Sequence, residues 1–278
     1  MKKVALTANS NALKQNYRER FHRLVQLLGS FGIDAVCSDL IFFDSIDLNA
    51  LANQKSRELC DYFTRSDVDA IFDISGGDAA NLLLPRIDWE ILKQYPKPFF
   101  GISDNSVLLN AIYVKTSRPT YHFRLSSLTE VENSKRFIAS LKSLSTLQIS
   151  PPLTFLQGEA FEGTVVGGNL RCFLKLAGTE FMPSLSGKIL FIESLGGNRQ
   201  QVASYFAQHT MLGEFKSLRG ILFGTFTKLQ SELSPTEFQR FLKSLVADLD
   251  LPVAYTGAIG HGSESEILPI GAQISIRE

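Results

Sequence analysis

Residues Lys97–Tyr113, KPFFGISDNSVLLNAIY, decide how the chain is read. An apolar run stops at Ser103-Asp104 and gives way at once to a helical pattern. Strand, tight turn and helix in that order form the repeating unit of a parallel α/β sheet, and the turn falls at the sheet's C-terminal edge. A serine at that corner has two readings. It caps the helix by accepting a backbone N–H, or it stands above the edge as a nucleophile with backbone amides pointing at its substrate. Gly101 fits the first glycine of a G-x-S-x-G elbow, but position 105 is Asn, so the fingerprint is incomplete.

Working outward, the same unit recurs. KKVALTA reads as a strand. It precedes a helix whose Leu24, Leu27, Leu28 and Phe31 share one face and which Gly32 closes. IDAVCSD, DAIFDIS and KPFFGIS supply further strands, with a helix around Leu51 to Phe63 between the first two. The prolines and glycines of LSTLQISPPLTFLQGEAFEG break this rhythm as a linker does. Beyond it, GTVVGG, KILFIES, RGILFGTF, LPVAYTG and AQISI read as strands. Ser234-Pro235 with Glu237 marks a capping box ahead of an apolar face made by Phe238, Phe241, Leu242 and Leu245. The expected architecture is α/β. Residues 1–146 form an N-terminal parallel-sheet domain, 147–160 a linker, and 161–278 a smaller, β-rich C-terminal domain.

Composition narrows the function. The 278 residues carry 28 Lys+Arg and 28 Asp+Glu, so no net field draws in nucleic acid or anionic lipid. No apolar run is long enough for a membrane span, and Val4 to Ala8 is too short for a signal peptide core. The 3 cysteines form no CxxC pair and the 4 histidines no HExxH spacing, so neither a disulfide framework nor a metal is expected. The expected setting is cytoplasmic.

A nucleophilic serine needs a base and a group to orient it. His261, between two glycines in AIGHGSESEILPIG, is either that base or a loop histidine bonded to backbone. Glu193 ends the apolar strand KILFIES; it either partners a base or caps the next helix. Gly76-Gly77 ends DAIFDISGG, where amides can hold an oxyanion or simply make a turn. VVGGNLRCFLKLAGT reads as packing of the second domain, and His22, His122 and His209 as structural.

In their order, ALTANS, AIFDISGGDAANLLLPRIDWEIL, KPFFGISDNSVLLNAIY, VVGGNLRCFLKLAGT, KILFIES, RGILFGTF and GHGSESEILPIG resemble the LD-carboxypeptidase family of serine peptidases. That family includes muramoyl-tetrapeptide carboxypeptidases and microcin-immunity peptidases. The resemblance implies a Ser103–His261–Glu193 triad, with the amides of Asp104 and Gly77 as oxyanion hole. It implies no cofactor, a small peptide substrate and a homodimer. Gly76, Asp78 and Asn81 are the substrate-binding candidates, with Arg86 as a further charge. Family members commonly carry Arg where this chain has Ser75, and an aromatic where it has Asp78. Asp78 is therefore expected to meet a cationic group of the substrate. A glycine–proline often found in the family is absent from TYHFRLSS. Two other functions stay open: the same chemistry on a peptidyl-nucleotide or other acyl-amide, and a non-catalytic α/β protein holding an anion.

Overall fold

In a computed structural model, the described residues are all but 129–136, 142–143, 145–150, 214, 263–264 and 278. They form two six-stranded sheets. The first is built from β1 (Lys3–Thr7), β2 (Asp34–Cys37), β3 (Ala70–Asp73), β4 (Phe99–Gly101) and β5 (Thr120–His122), all parallel. Strands β6 (Thr154–Gln157), β7 (Ala160–Asn169), β8 (Lys188–Ser194), β9 (Gly220–Phe226) and β10 (Val253–Tyr255) follow, and all belong to the second sheet. The chain ends with β11 (Leu268–Ile270) and β12 (Gln273–Arg277).

The first sheet is ordered β11-β5-β4-β3-β1-β2. Its chain order reverses between β1 and β3. In open α/β sheets, loops at such a switch point diverge beyond the strand ends and leave a crevice. Side chains alternate along the strands. Ala5, Ile71 and Phe99 join the large core shared with the second sheet, whereas Leu6, Phe72 and Phe100 face the layer holding Leu24 and Leu28. Burial of each large apolar side chain contributes roughly 1.5–3 kcal/mol. Phe100 stacks between Phe72 at 4.2 Å and Tyr121 at 4.8 Å, fixing the strand that leads to Ser103.

The second sheet is ordered β12-β7-β8-β9-β10-β6, with β7 to β10 parallel and an antiparallel strand at each edge. The anticipated capping box forms, with Ser234 and Glu237 bonding reciprocally, and Phe238 and Leu242 buried behind it.

Two features differ from the sequence reading. Of the expected linker, 147–150 lie outside the described residues and Thr154–Gln157 are strand β6, paired antiparallel to β10. The C-terminal segment also does not stay with the second sheet. Strand β11 returns to pair antiparallel with β5. Leu268 lies opposite His122, at the C-terminal end of β5, so the loop entering β11 passes over the edge where Ser103 sits. That loop carries His261.

Candidate active site

Ser103 follows β4 and opens the short 3-10 helix Ser103–Asn105, which leads into the α-helix Ser106–Thr116. Its φ is 61°, one of two positive values at non-glycine residues among the described residues. An L-residue occupies the left-handed region at a cost of about 1–2 kcal/mol, and such strain concentrates at functional sites. The helix-capping reading does not hold. Ile102 occupies the N-cap position, and no side-chain cap bond forms.

The geometry around Ser103 explains the incomplete elbow. A Cβ on Gly101 would lie 2.7 Å from the Asn105 Cβ, so the chain folds back too closely for a side chain there. Asn105 takes the place of the second glycine because its amide is needed. It donates to Asp73 Oδ1 at 2.8 Å and to the Ser75 carbonyl at 3.0 Å.

Asp73, at the end of β3, is fully buried and gathers the surrounding loops. Oδ1 also accepts from the Ser75 amide (2.8 Å) and hydroxyl (2.6 Å); Oδ2 accepts from the Asn9 amide at 2.6 Å. Burial pushes its carboxyl up, against the pull of these bonds. The β1, β3 and β4 termini are thereby tied together. A Cβ built on Gly76 would sit 3.4 Å from Ser103 Oγ, so the double-glycine turn lies against the serine.

Glu193 and His261 come from the second half. Glu193 ends β8 and is fully buried; its Oε2 lies 2.5 Å from His261 Nδ1, while Oε1 accepts from Asn169 Nδ2 at 3.1 Å. The His261 amide donates to Thr225 Oγ1 at 2.9 Å, which fixes the loop as well as the ring. Burial raises the Glu193 carboxyl, but His261 and His122 outweigh it and bring it down to about 2. Glu193 does not cap the following helix; Asn198 does, in a capping box with Gln201.

Both halves open on one cavity of about 1010 Å³, lined by Ser103, His261, Gly76 and Gly77 among others. Asp104 is fully buried. Its carboxylate accepts from Ser10 Oγ at 2.7 Å and the Ala80 amide at 2.8 Å, and pairs with Lys175. Its own amide lies in the first turn of a helix, where N–H groups have no intrahelical acceptor.

Asp78 and Asn81 are not among the described residues lining this cavity. Asp78 is ion-paired to Arg171 at 2.5 Å, and the guanidinium holds its carboxyl below the ordinary value. The expected acceptor for a substrate amine is therefore already engaged. Arg86 turns away too, donating to the Leu82 carbonyl and to Asn49.

Residues outside the expected site contribute here, among them the VVGGN stretch and His122, both read from sequence as structural. VVGGN joins the two halves: the Gly167 amide donates to Asn110 at 3.0 Å, and the Asn169 amide to Ser106 at 2.8 Å, both on the helix after Ser103. Asn169 lies opposite Glu193 in the β7–β8 register, a signal that strand pairing alone would give. His122 is fully buried with Nε2 3.8 Å from Glu193 Oε1, and its position at the end of β5 carried no motif. Thr225, at the end of β9, was likewise hidden among apolar neighbours. His209 is structural as expected. Its Nε2 meets the Leu170 carbonyl at 3.0 Å, and burial pulls its pKa down to about 4.

Among the described residues, no helix is long and apolar enough to cross a membrane. No cluster of three or more His, Cys, Asp or Glu suited to a metal occurs among them either.

Comparison with known proteins places this architecture. The chain is 26% identical to the murein tetrapeptide carboxypeptidase of Pseudomonas aeruginosa, over 97% of this chain and 91% of that protein. It is 24% identical to the microcin C7 self-immunity protein MccF of Escherichia coli, over 93% and 86%. An MccF-like protein from Bacillus anthracis shares the fold with a TM-score of 0.85 at 22% identity, over 99% of this chain and 93% of that one. Residues 4–123 match the profile of the LD-carboxypeptidase N-terminal domain and residues 162–276 that of the LD-carboxypeptidase C-terminal domain. The two halves that meet at the cavity are the two halves of that family, and the chain belongs to the LD-carboxypeptidase family.

Proposed function

We propose that the protein is a serine carboxypeptidase that removes the C-terminal residue of a murein tetrapeptide through an acyl-enzyme, with Ser103 as nucleophile, His261 as base and Glu193 as orienting acid. One observation carries the reading. A buried pair, Glu193 of the second sheet with the imidazole of His261 on the loop entering β11, opens on the same cavity as a serine held in the left-handed conformation after β4. A carboxylate on Nδ1 fixes the tautomer that leaves Nε2 as proton acceptor and stabilises the imidazolium that forms.

In this reading, Ser103 Oγ adds to the scissile carbonyl carbon as its proton passes to His261 Nε2. The tetrahedral oxyanion is held by the amides of Asp104 and Gly77, each such donor lowering the barrier by about 2.7–4 kcal/mol. The carbon–nitrogen bond then breaks, and His261 returns the proton to the leaving amine. Water, deprotonated by His261, hydrolyses the ester and regenerates Ser103. No step calls for a cofactor. The murein substrate is supported by the named activity of the Pseudomonas relative. A cytoplasmic role in cell-wall recycling and a homodimer belong to the same proposal.

Mass spectrometry of the protein incubated with a murein tetrapeptide tests it. Release of the C-terminal residue, abolished by Ser103→Ala, is the expected result. Cleavage of a peptidyl-nucleotide instead would keep the chemistry and overturn the substrate.

A further inference from the structure

The cavity beside Ser103 has a strongly one-sided charge. Its described lining includes Lys14, Arg20, Arg23 and Arg124, while Asp73 is its one described carboxylate residue and is fully buried. The chain as a whole balances its charges, so this wall is a local concentration of cations rather than a general property.

Two of these cations are built into the site. Arg20, on the helix Arg18–Ser30, donates through Nη2 to the Ser126 carbonyl at 2.7 Å. Its Nε is buried with no hydrogen-bond partner. Arg124, just past β5, donates through Nε to the Ser126 hydroxyl at 3.2 Å and through Nη1 to the His261 carbonyl at 3.2 Å. The two guanidiniums thus share Ser126 as a common anchor, and one of them grips the backbone of the residue read as the base. Arg124 is partly desolvated, and burial, then the charge of Arg20, lowers its pKa. Placing two like charges together in a partly buried site is costly unless an anion is meant to lie between or beside them.

The chemistry of a carboxypeptidase fixes where an anion must go. His261 delivers a proton to the leaving amine, and the free carboxylate of the released residue is separated from that amine by a single carbon. The carboxylate therefore lies close to the imidazole on the leaving-group side. Guanidinium is the side chain whose planar fork matches a carboxylate with two parallel bonds.

We propose that Arg20 and Arg124 form the subsite for the free C-terminal carboxylate of the substrate, with Arg20 as its principal ligand. This deepens the reading above, because it assigns the leaving-group side of the cavity that Ser103 and His261 border. It also replaces Asp78 as the determinant of charge preference. The selected group is an anion on the released residue, where Asp78 would have selected a cation.

Calorimetry on the Ser103→Ala protein separates this proposal from the catalytic one. A murein tetrapeptide and its C-terminal amide are titrated into that protein and into its Arg20→Gln and Arg20→Lys derivatives. The acid is expected to bind about tenfold to a hundredfold more tightly than the amide, the range of a charged hydrogen-bonded contact. That preference should weaken with added salt, disappear in Arg20→Gln and survive in part in Arg20→Lys. The salt dependence in the Ser103→Ala protein stands even if Arg20→Gln fails to fold. Equal affinity for acid and amide overturns the proposal, as does a preference unchanged in Arg20→Gln. Tighter binding of a nucleoside monophosphate than of the peptide acid overturns it as well, since the wall would then serve a phosphate. Continued turnover by Ser103→Ala would instead defeat the catalytic assignment and leave the carboxylate subsite standing.

Discussion

Glu193 Oε2 and His261 Nδ1 lie 2.5 Å apart although 68 positions separate them in sequence, and both side chains are buried. The pair is closed in from several sides. Asn169 donates to the other carboxylate oxygen, Thr225 holds the His261 backbone, and His122 stands beyond the acid. Turning the imidazole breaks its bond to Glu193, while Asn169 and Thr225 hold that acid and the His261 backbone in place.

The roles assigned to this pair predict unequal damage on mutation. His261→Ala should lower kcat by a factor on the order of 10⁶, whereas Glu193→Gln should lower it by about 10⁴, because an orienting acid is less critical than the base. Steady-state kinetics on murein tetrapeptide checks the ordering. A Glu193→Gln enzyme as damaged as His261→Ala would give the glutamate more than an orienting part.

Glu193 also carries a pH signature. Its carboxyl lies at about 2 in the folded protein, below its ordinary 4.5. A depressed carboxyl contributes stability that is fully present above the unfolded value and is lost as pH falls through the folded one. Thermal unfolding followed between pH 5 and 2 should show a fall in Tm that is shallower in Glu193→Gln. Parallel curves for the two proteins would remove this contribution.

Ser103 pays for its placement in backbone strain. Ser103→Gly and Ser103→Ala should both be inactive, with the glycine variant more stable by roughly 1 kcal/mol, since glycine takes positive φ without penalty. Urea denaturation measures the difference. An alanine variant as stable as the glycine one would show that the φ of 61° stores no strain.

The junction between the halves depends on Gly168. A Cβ there would meet Ser106 Oγ at 2.3 Å, at a φ of 143°. Gly168→Ala should therefore cost stability and displace the helix behind Ser103, lowering both Tm and kcat. Gly178→Ala, at positive φ but with open space around it, serves as the control and should cost less.

Asp78→Asn should change KM equally for cationic and neutral substrates, because the carboxylate faces Arg171 at the surface and an exposed pair contributes about 0–1 kcal/mol. Comparison of a diamino-acid stem peptide with its neutral analogue checks this. A selective rise in KM for the cationic peptide would restore Asp78 to the substrate site.

What could be read in the sequence was whatever rests on local pattern. The strand–turn–helix at Ser103, the helix face carrying Leu24 and Leu28, and the Ser234 capping box each lie within a few residues of chain. What could not be read rests on pairing across long separations. Strand β11 is three residues long and gives no period of its own, so its return to β5 was invisible. Asp78 looked available because Arg171, its partner, lies 93 positions away. Asn169 reaches Glu193 only through strand register, and His122, on the other sheet, only through the approach of the two sheets, neither of which is announced locally.

The central claim is that Ser103 is the activated nucleophile of a site assembled from both halves. Labelling with a fluorophosphonate, followed by peptide mapping, tests it most directly. The account predicts one stable adduct, on Ser103, formed far more slowly in His261→Ala and absent in Ser103→Ala. An adduct on another serine, or murein tetrapeptide turnover by Ser103→Ala, would contradict it.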